Sequence, residues 1–172
     1  MRKVFIATLS SGALLAAAGI ASAAPSTATS TFNVTATVLK NCLVSSANLA
    51  FGNYTPNTGA LTGNSAITVR CTKTTPYTVS LNAGTTTGGT LAQRLLANGA
   101  NTLQYNLFTT AALTTVFGDG TGGTGTIAGT GNGVSVASAQ TVTVYGQLPD
   151  NTTNQDATPG SYTDTITVTV TY

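Results

Sequence analysis

The sequence has no histidine, no glutamate and no tryptophan, and its only methionine is the first residue. Charged residues occupy 6% of 172 positions, against about 25% in an ordinary soluble domain. Apart from Arg2, Lys3 and two cysteines, the groups able to titrate are four Asp, six Tyr and the basic residues Lys40, Arg70, Lys73 and Arg94. General acid–base catalysis relies most often on His or on a tuned carboxylate or lysine. No Ser here has a His partner, and neither Lys40 nor Lys73 sits in a pattern that would make it a base. The inventory argues against an enzyme. The four internal cations balance the four Asp, so the basic footprint of a nucleic-acid or anionic-membrane binder is missing as well.

What the chain has in abundance is threonine, at 37 residues. A surplus of β-branched residues with few helix formers points to strands. The first 23 residues instead have the form of an export signal. Arg2 and Lys3 make a positive start, Val4 to Ile20 are apolar or small, and Ala21-Ser22-Ala23 fits a small-x-small cleavage site. Thr8, Ser10, Ser11 and Gly12 interrupt the run, which is short for the roughly 20 apolar residues of a membrane span. Cleavage after Ala23 leaves one domain-sized chain with no later stretch able to cross a bilayer. Its cysteines, Cys42 and Cys71, are an even number in an exported protein, which predicts a disulfide. Two thiolates with no His and no second cysteine pair cannot complete a zinc site.

Period-two alternation marks strands at 31–39, 66–72, 76–82, 101–108 and 140–148, a short one near 112–117, and a last one at 162–172. Residues 90–96 alone suit a helical turn. Turn signals such as Gly52-Asn53, Pro56-Asn57, Gly63-Asn64 and Pro159-Gly160 separate the runs. Residues 118–133 form a glycine-rich loop with room for a brief central strand. The array predicts an all-β, antiparallel β-sandwich with Greek-key or immunoglobulin-like connections.

Several local patterns have plainer explanations than the chemistry they mimic. Gly118-x-Gly120-x-x-Gly123 matches a dinucleotide fingerprint by letter, but it lacks the preceding buried strand and following helix. Asp150 and Asp156 flank a turn-forming stretch and read as turn residues, and Asp164 reads as structural. A calcium loop at 150–156 would lack the EF-hand spacing and its terminal Glu. Tyr54, Tyr77 and Tyr145 could serve as stacking platforms for a sugar, though scattered tyrosines in strands and turns are more commonly core or rim residues.

Two motifs stand out: Leu49-Ala50-Phe51-Gly52-Asn53-Tyr54-Thr55-Pro56 and Pro159-Gly160-Ser161-Tyr162-Thr163-Asp164-Thr165 running into Ile166-Thr167-Val168-Thr169-Val170. Between them lie Ile67-Thr68-Val69-Arg70-Cys71, Tyr77-Thr78-Val79-Ser80-Leu81 and Leu103-Gln104-Tyr105-Asn106-Leu107-Phe108. In this order they resemble the spore coat protein U domain family, which includes subunits of archaic, Csu-type chaperone–usher pili. The resemblance covers about residues 32–172. The chain departs from it in a more glycine-rich 117–133 loop, and in Leu95 after Arg94 where members often show Met.

The resemblance implies an incomplete immunoglobulin-like β-sandwich, completed by a donated strand, with no catalytic residue, metal or cofactor. Its implied partners are a periplasmic chaperone, an outer-membrane usher and identical or related pilin subunits, first in the periplasm and then in a cell-surface fimbrium. Residues 24–40 would be an N-terminal extension and 41–172 the pilin-like domain. The donor strand would present Phe32, Val34, Ala36 and Val38, and the acceptor groove would be lined by Ile166, Val168 and Val170. Alternation alone fits residues 31–39 equally to an internal first strand. Two other functions share the fold: a non-pilus coat or surface protein, and a monomeric periplasmic carbohydrate-binding sandwich. Intact-mass analysis of the exported protein should find a mature chain beginning at Ala24; a chain retaining residues 1–23 would contradict the assigned cleavage.

Overall fold

The computed structural model describes residues 23–172, so most of the expected export signal lies outside the described residues. The chain divides into an N-terminal unit ending at Thr37 and a compact unit from Val38 to Tyr172. Residues 23–41 form no strand or helix, and every one of them is exposed. The strand expected at 31–39 is thus in neither sheet, and Phe32, Val34 and Val38 are 86%, 83% and 86% exposed.

Eight strands follow: β1 (Cys42–Ser46), β2 (Leu61–Cys71), β3 (Pro76–Leu81), β4 (Arg94–Asn98), β5 (Asn101–Phe108), β6 (Ile127–Thr130), β7 (Gln140–Leu148) and β8 (Val168–Thr171). They form a five-stranded sheet in the order β1-β2-β7-β5-β4 and a three-stranded sheet in the order β6-β3-β8. Every strand pair is antiparallel. This is an immunoglobulin-like β-sandwich. Tyr162 adds a feature of such sandwiches: its hydroxyl donates to the Thr158 carbonyl four residues upstream at 2.7 Å.

Alternation builds the core. Ile67, Val69 and Cys71 of β2 point inward with Tyr77, Val79 and Leu81 of β3, Leu103, Tyr105 and Leu107 of β5, and Val142, Val144 and Leu148 of β7. Cys42 and Cys71 form a disulfide between directly paired positions of β1 and β2.

The helical turn expected at 90–96 is instead strand β4, joined to β5 by Gly99 in the left-handed region and Ala100. The cause is Arg94, the first residue of β4, which is fully buried. Its Nε and one terminal nitrogen donate to the Asn82 carbonyl at 3.0 and 2.7 Å. The same terminal nitrogen reaches the Phe117 carbonyl at 2.7 Å, and the other reaches Asn106 Oδ1 at 2.7 Å. A guanidinium's fixed fork satisfies all three acceptors at once, which an apolar side chain cannot do.

Other boundaries shift for local reasons. The stretch near 112–117 yields only isolated bridges at Val116 and Phe117, and the brief strand inside the glycine-rich loop is β6. Residues 162–172 pair continuously only over β8, because Thr163 bridges to Ala97 of β4 first. The 150–156 turn contains a helical turn, α1 (Thr152–Gln155), capped by the Asn151 side chain. Buried Asn154 then serves as a strand substitute beside β5, accepting from the Gln104 amide at 2.7 Å and donating to the Gln104 carbonyl at 2.9 Å. Among the described residues, no helix is long and apolar enough to cross a membrane.

Arg94→Met should strand the Asn82 and Phe117 carbonyls in the core and cost about 3 kcal/mol or more. Urea unfolding of the purified variant checks this; an unchanged midpoint would contradict the role given to the guanidinium.

Candidate functional site: an open apolar cleft

One side of the sandwich is not closed. Among the described residues, β1 is an edge strand paired only to β2, and β8 is an edge strand paired only to β3. From Ser46 onward a cleft of about 1210 Å³ opens, its rims formed by residues 46–56 and residues 157–168. Its floor is the core itself, with Ile67, Leu81, Leu103, Leu107, Val144 and Leu148 among the side chains that line it. The volume exceeds the roughly 300–1,000 Å³ of ordinary small-molecule pockets.

The first rim is held on bare backbone. Gly63 of β2 and Gly146 of β7 pair directly. A Cβ on Gly146 would stand 2.8 Å from Leu49 Cδ1 and 3.0 Å from the Phe51 ring. The missing side chains let Leu49 and Phe51 lie flat on the sheet, where Phe51 meets Tyr105 edge-on at 6.1 Å between centroids. Gly52 then turns through a left-handed φ of 81°. Asp150 fastens the far end: it accepts from the Tyr54 hydroxyl at 2.6 Å, the Gly59 amide at 2.7 Å and the Asn57 amide at 3.2 Å. These bonds, Tyr54's first, hold the Asp150 carboxyl below its usual range, while burial and the bond to Asp150 push the Tyr54 hydroxyl up to about 12.

The second rim is held by Asp164. Its carboxylate accepts from the Tyr105 hydroxyl at 2.6 Å and from the Thr85 and Thr86 amides at 2.9 and 3.0 Å. A Cβ on Gly84 would overlap this carboxylate, and one on Gly160 would overlap the Asn98 amide. Burial alone would raise the Asp164 pKa, but the hydrogen bonds from Tyr105, the Thr85 and Thr165 amides and Thr86 outweigh it, and the net displacement is downward.

Ile166 and Val168 line the cleft. Val170, further along β8, is not among the cleft-lining side chains and packs partly buried on the core. Phe32, Val34, Ala36 and Val38 stand exposed on the segment outside both sheets. Leu49, Phe51, Leu96, Leu103 and Tyr105 also line the site and were not singled out as groove residues from sequence. The Leu49–Pro56 motif was the signal for the first two. Tyr77 is buried, and the Tyr54 hydroxyl is engaged by Asp150. Among the described residues no group of three or more His, Cys, Asp or Glu could hold a metal ion.

The two sequence motifs therefore form the two rims of one cleft. The sequence matches the Spore Coat Protein U domain over residues 28–169. The chain belongs to that family. The match begins upstream of residues 31–39 and so includes the exposed segment. A similar fold occurs in a chain of the crystal structure of the CsuC–CsuE chaperone–tip adhesion subunit pre-assembly complex, from archaic chaperone–usher Csu pili of Acinetobacter baumannii. The TM-score is 0.54 and the identity 27%, over 79% of this chain and 40% of that one. The Spore Coat Protein U domain described here thus spans well under half of that neighbour's length. No curated protein matches it in sequence.

Both carboxylates have folded-state pKa values below the unfolded value of about 3.9. Their contribution to stability is present above that pH and is lost as pH falls through the folded values. Thermal unfolding should therefore be nearly level from pH 7 to about 5 and fall steeply below about pH 4. Asp164→Asn should lower the melting temperature at pH 7 and flatten the acid decline; a parallel curve would contradict the assignment.

Proposed function

We propose that this protein is a structural subunit of a surface pilus, exported to the periplasm and assembled by donor-strand exchange through a chaperone–usher pathway. One observation carries the proposal. The same domain has an apolar core open along one side, and a segment of alternating apolar side chains that neither of its sheets uses. The likeness to a chain from a chaperone–usher pilus complex supports it.

In this scheme the cleft of each subunit receives residues 31–39 of another copy. Phe32, Val34, Ala36 and Val38 enter between the rims, against Ile166 and Val168 on one side and Leu49 and Phe51 on the other. Val170 continues the acceptor strand beyond the cleft. Backbone hydrogen bonds to the free edges supply affinity, and the alternating side chains supply register. Burying each large apolar side chain contributes roughly 1.5–3 kcal/mol, so Phe32 and the two valines can hold subunits together without a covalent bond. Before assembly a periplasmic chaperone would cover the same cleft, and an outer-membrane usher would be the site of exchange. The finished fimbrium lies at the cell surface. No step needs a cofactor, and none is catalysed by the subunit itself.

Surface-sheared protein run unheated on an SDS gel should give a ladder that collapses to monomer on boiling. Val34→Asp should leave export intact and remove the ladder, because it places a carboxylate in the apolar cleft. A ladder of normal length from Val34→Asp would overturn the donor assignment. A single monomer band from the wild type in both lanes would favour a self-complete sandwich and direct attention to glycan binding.

A further inference from the structure

A subunit with an empty cleft and an unused strand could in principle plug itself. Its local concentration of donor would far exceed that of any neighbour. We propose that the three-residue tether Leu39-Lys40-Asn41, anchored by the Cys42–Cys71 disulfide, is what keeps the donor segment out of its own cleft. The inference rests on the donor-strand reading above.

The anchoring is direct. Cys42 is bonded to Cys71, its paired position on β2. Asn41 is fixed from both sides, its carbonyl accepting from the Thr72 amide at 2.8 Å and its amide donating to Thr72 Oγ1 at 3.1 Å. Slack cannot be gained by peeling the start of β1 away from β2 while the disulfide is closed.

The register then decides the matter. To fold back beside β1, the chain must reverse within Leu39, Lys40 and Asn41. A three-residue hairpin loop sets Val38 opposite Cys42, so Ala36 falls opposite Val44, Val34 opposite Ser46 and Phe32 opposite Asn48. The cleft begins only at Ser46. None of Cys42–Ser45 lines it. Val38 and Ala36 would fall short of the cleft, and only Phe32 and Val34 would reach it. Stretching does not help. Ser46 is four residues along β1, about 13 Å from Cys42, and the four steps from Val38 to Cys42 span at most about 14 Å. That leaves nothing for the reversal. A second copy has no such limit and can seat all four side chains.

Lengthening the tether tests this. Ten Gly/Ser residues inserted between Lys40 and Asn41 have a root-mean-square reach of about 17–19 Å, enough to carry the donor past β1. The insertion variant, expressed in the native host with its assembly machinery, should lose the heat-sensitive ladder at least about ten-fold. Its monomer should become resistant to protease at residues 31–39, while any wild-type monomer remains cleavable there. Adding Val34→Asp to the insertion should restore cleavage, which separates self-plugging from misfolding. A ladder of wild-type length from the insertion variant, or a monomer still cleaved at 31–39, would overturn the tether's role and leave donor-strand assembly standing. Absence of a ladder from the wild type would instead remove the assembly reading and this inference with it.

Discussion

The two sheets are joined by polar contacts around buried Arg94 and around Asp164, which lies on one rim of the cleft. Arg94 begins β4 at the edge of the five-stranded sheet, and its guanidinium gathers the Asn82 and Phe117 carbonyls beyond its own sheet together with the Asn106 side chain. Asp164 draws in Tyr105 of β5 and the amides of Thr85 and Thr86. Its negative charge also favours the protonated guanidinium, against a burial that lowers the Arg94 pKa. Burying a charge is costly unless its hydrogen bonds are met, and here all three guanidinium nitrogens donate to fixed oxygens. Asp164 holds one rim in place without filling the cleft. An open apolar floor would otherwise tend to collapse, since closing it removes hydrocarbon from water.

Around that frame, small residues do as much as large ones. Gly63 and Gly146 remove two side chains from one facing pair so that Leu49 and Phe51 can form a rim. Gly84 makes room for the Asp164 carboxylate. Asp150 and Asp164 have parallel duties, each gathering a tyrosine hydroxyl and two loop amides to pin one rim. With charged residues so few, both carboxylates at the rims are committed to architecture. What remains for recognition is backbone edge and apolar surface, the chemistry that suits an added strand.

Much of this fold could be read from alternation. β3, β5 and β7 fall almost where period-two patterning puts them, because each buries one face and wets the other. The sequence reading failed where a polar side chain, and not an apolar face, decides the structure. Arg94 turns a stretch of good helix formers into β4, although Asn98-Gly99 before Asn101 was a hairpin signal open to use. β1 was missed because four of its five residues are exposed, leaving its disulfide as the mark of pairing. The 162–172 run was expected as one strand, yet Asp164 and the Thr163 bridge hold its first half off β3. The rims were visible as motifs, but their meeting across one cleft was not, since about a hundred residues separate them. Alternation could not tell whether 31–39 belongs to this domain's sheets. The structure leaves those residues outside both.

The most direct test of the account is amide hydrogen exchange on surface-sheared polymer and on monomer released from it by heating and rapid cooling. Donation between copies predicts strong protection of residues 31–39 and of the free edge at 166–170 in the polymer. It also predicts fast exchange at 31–39 in the monomer. Equally fast exchange at 31–39 in both samples would contradict the central claim that this segment completes another copy's sandwich.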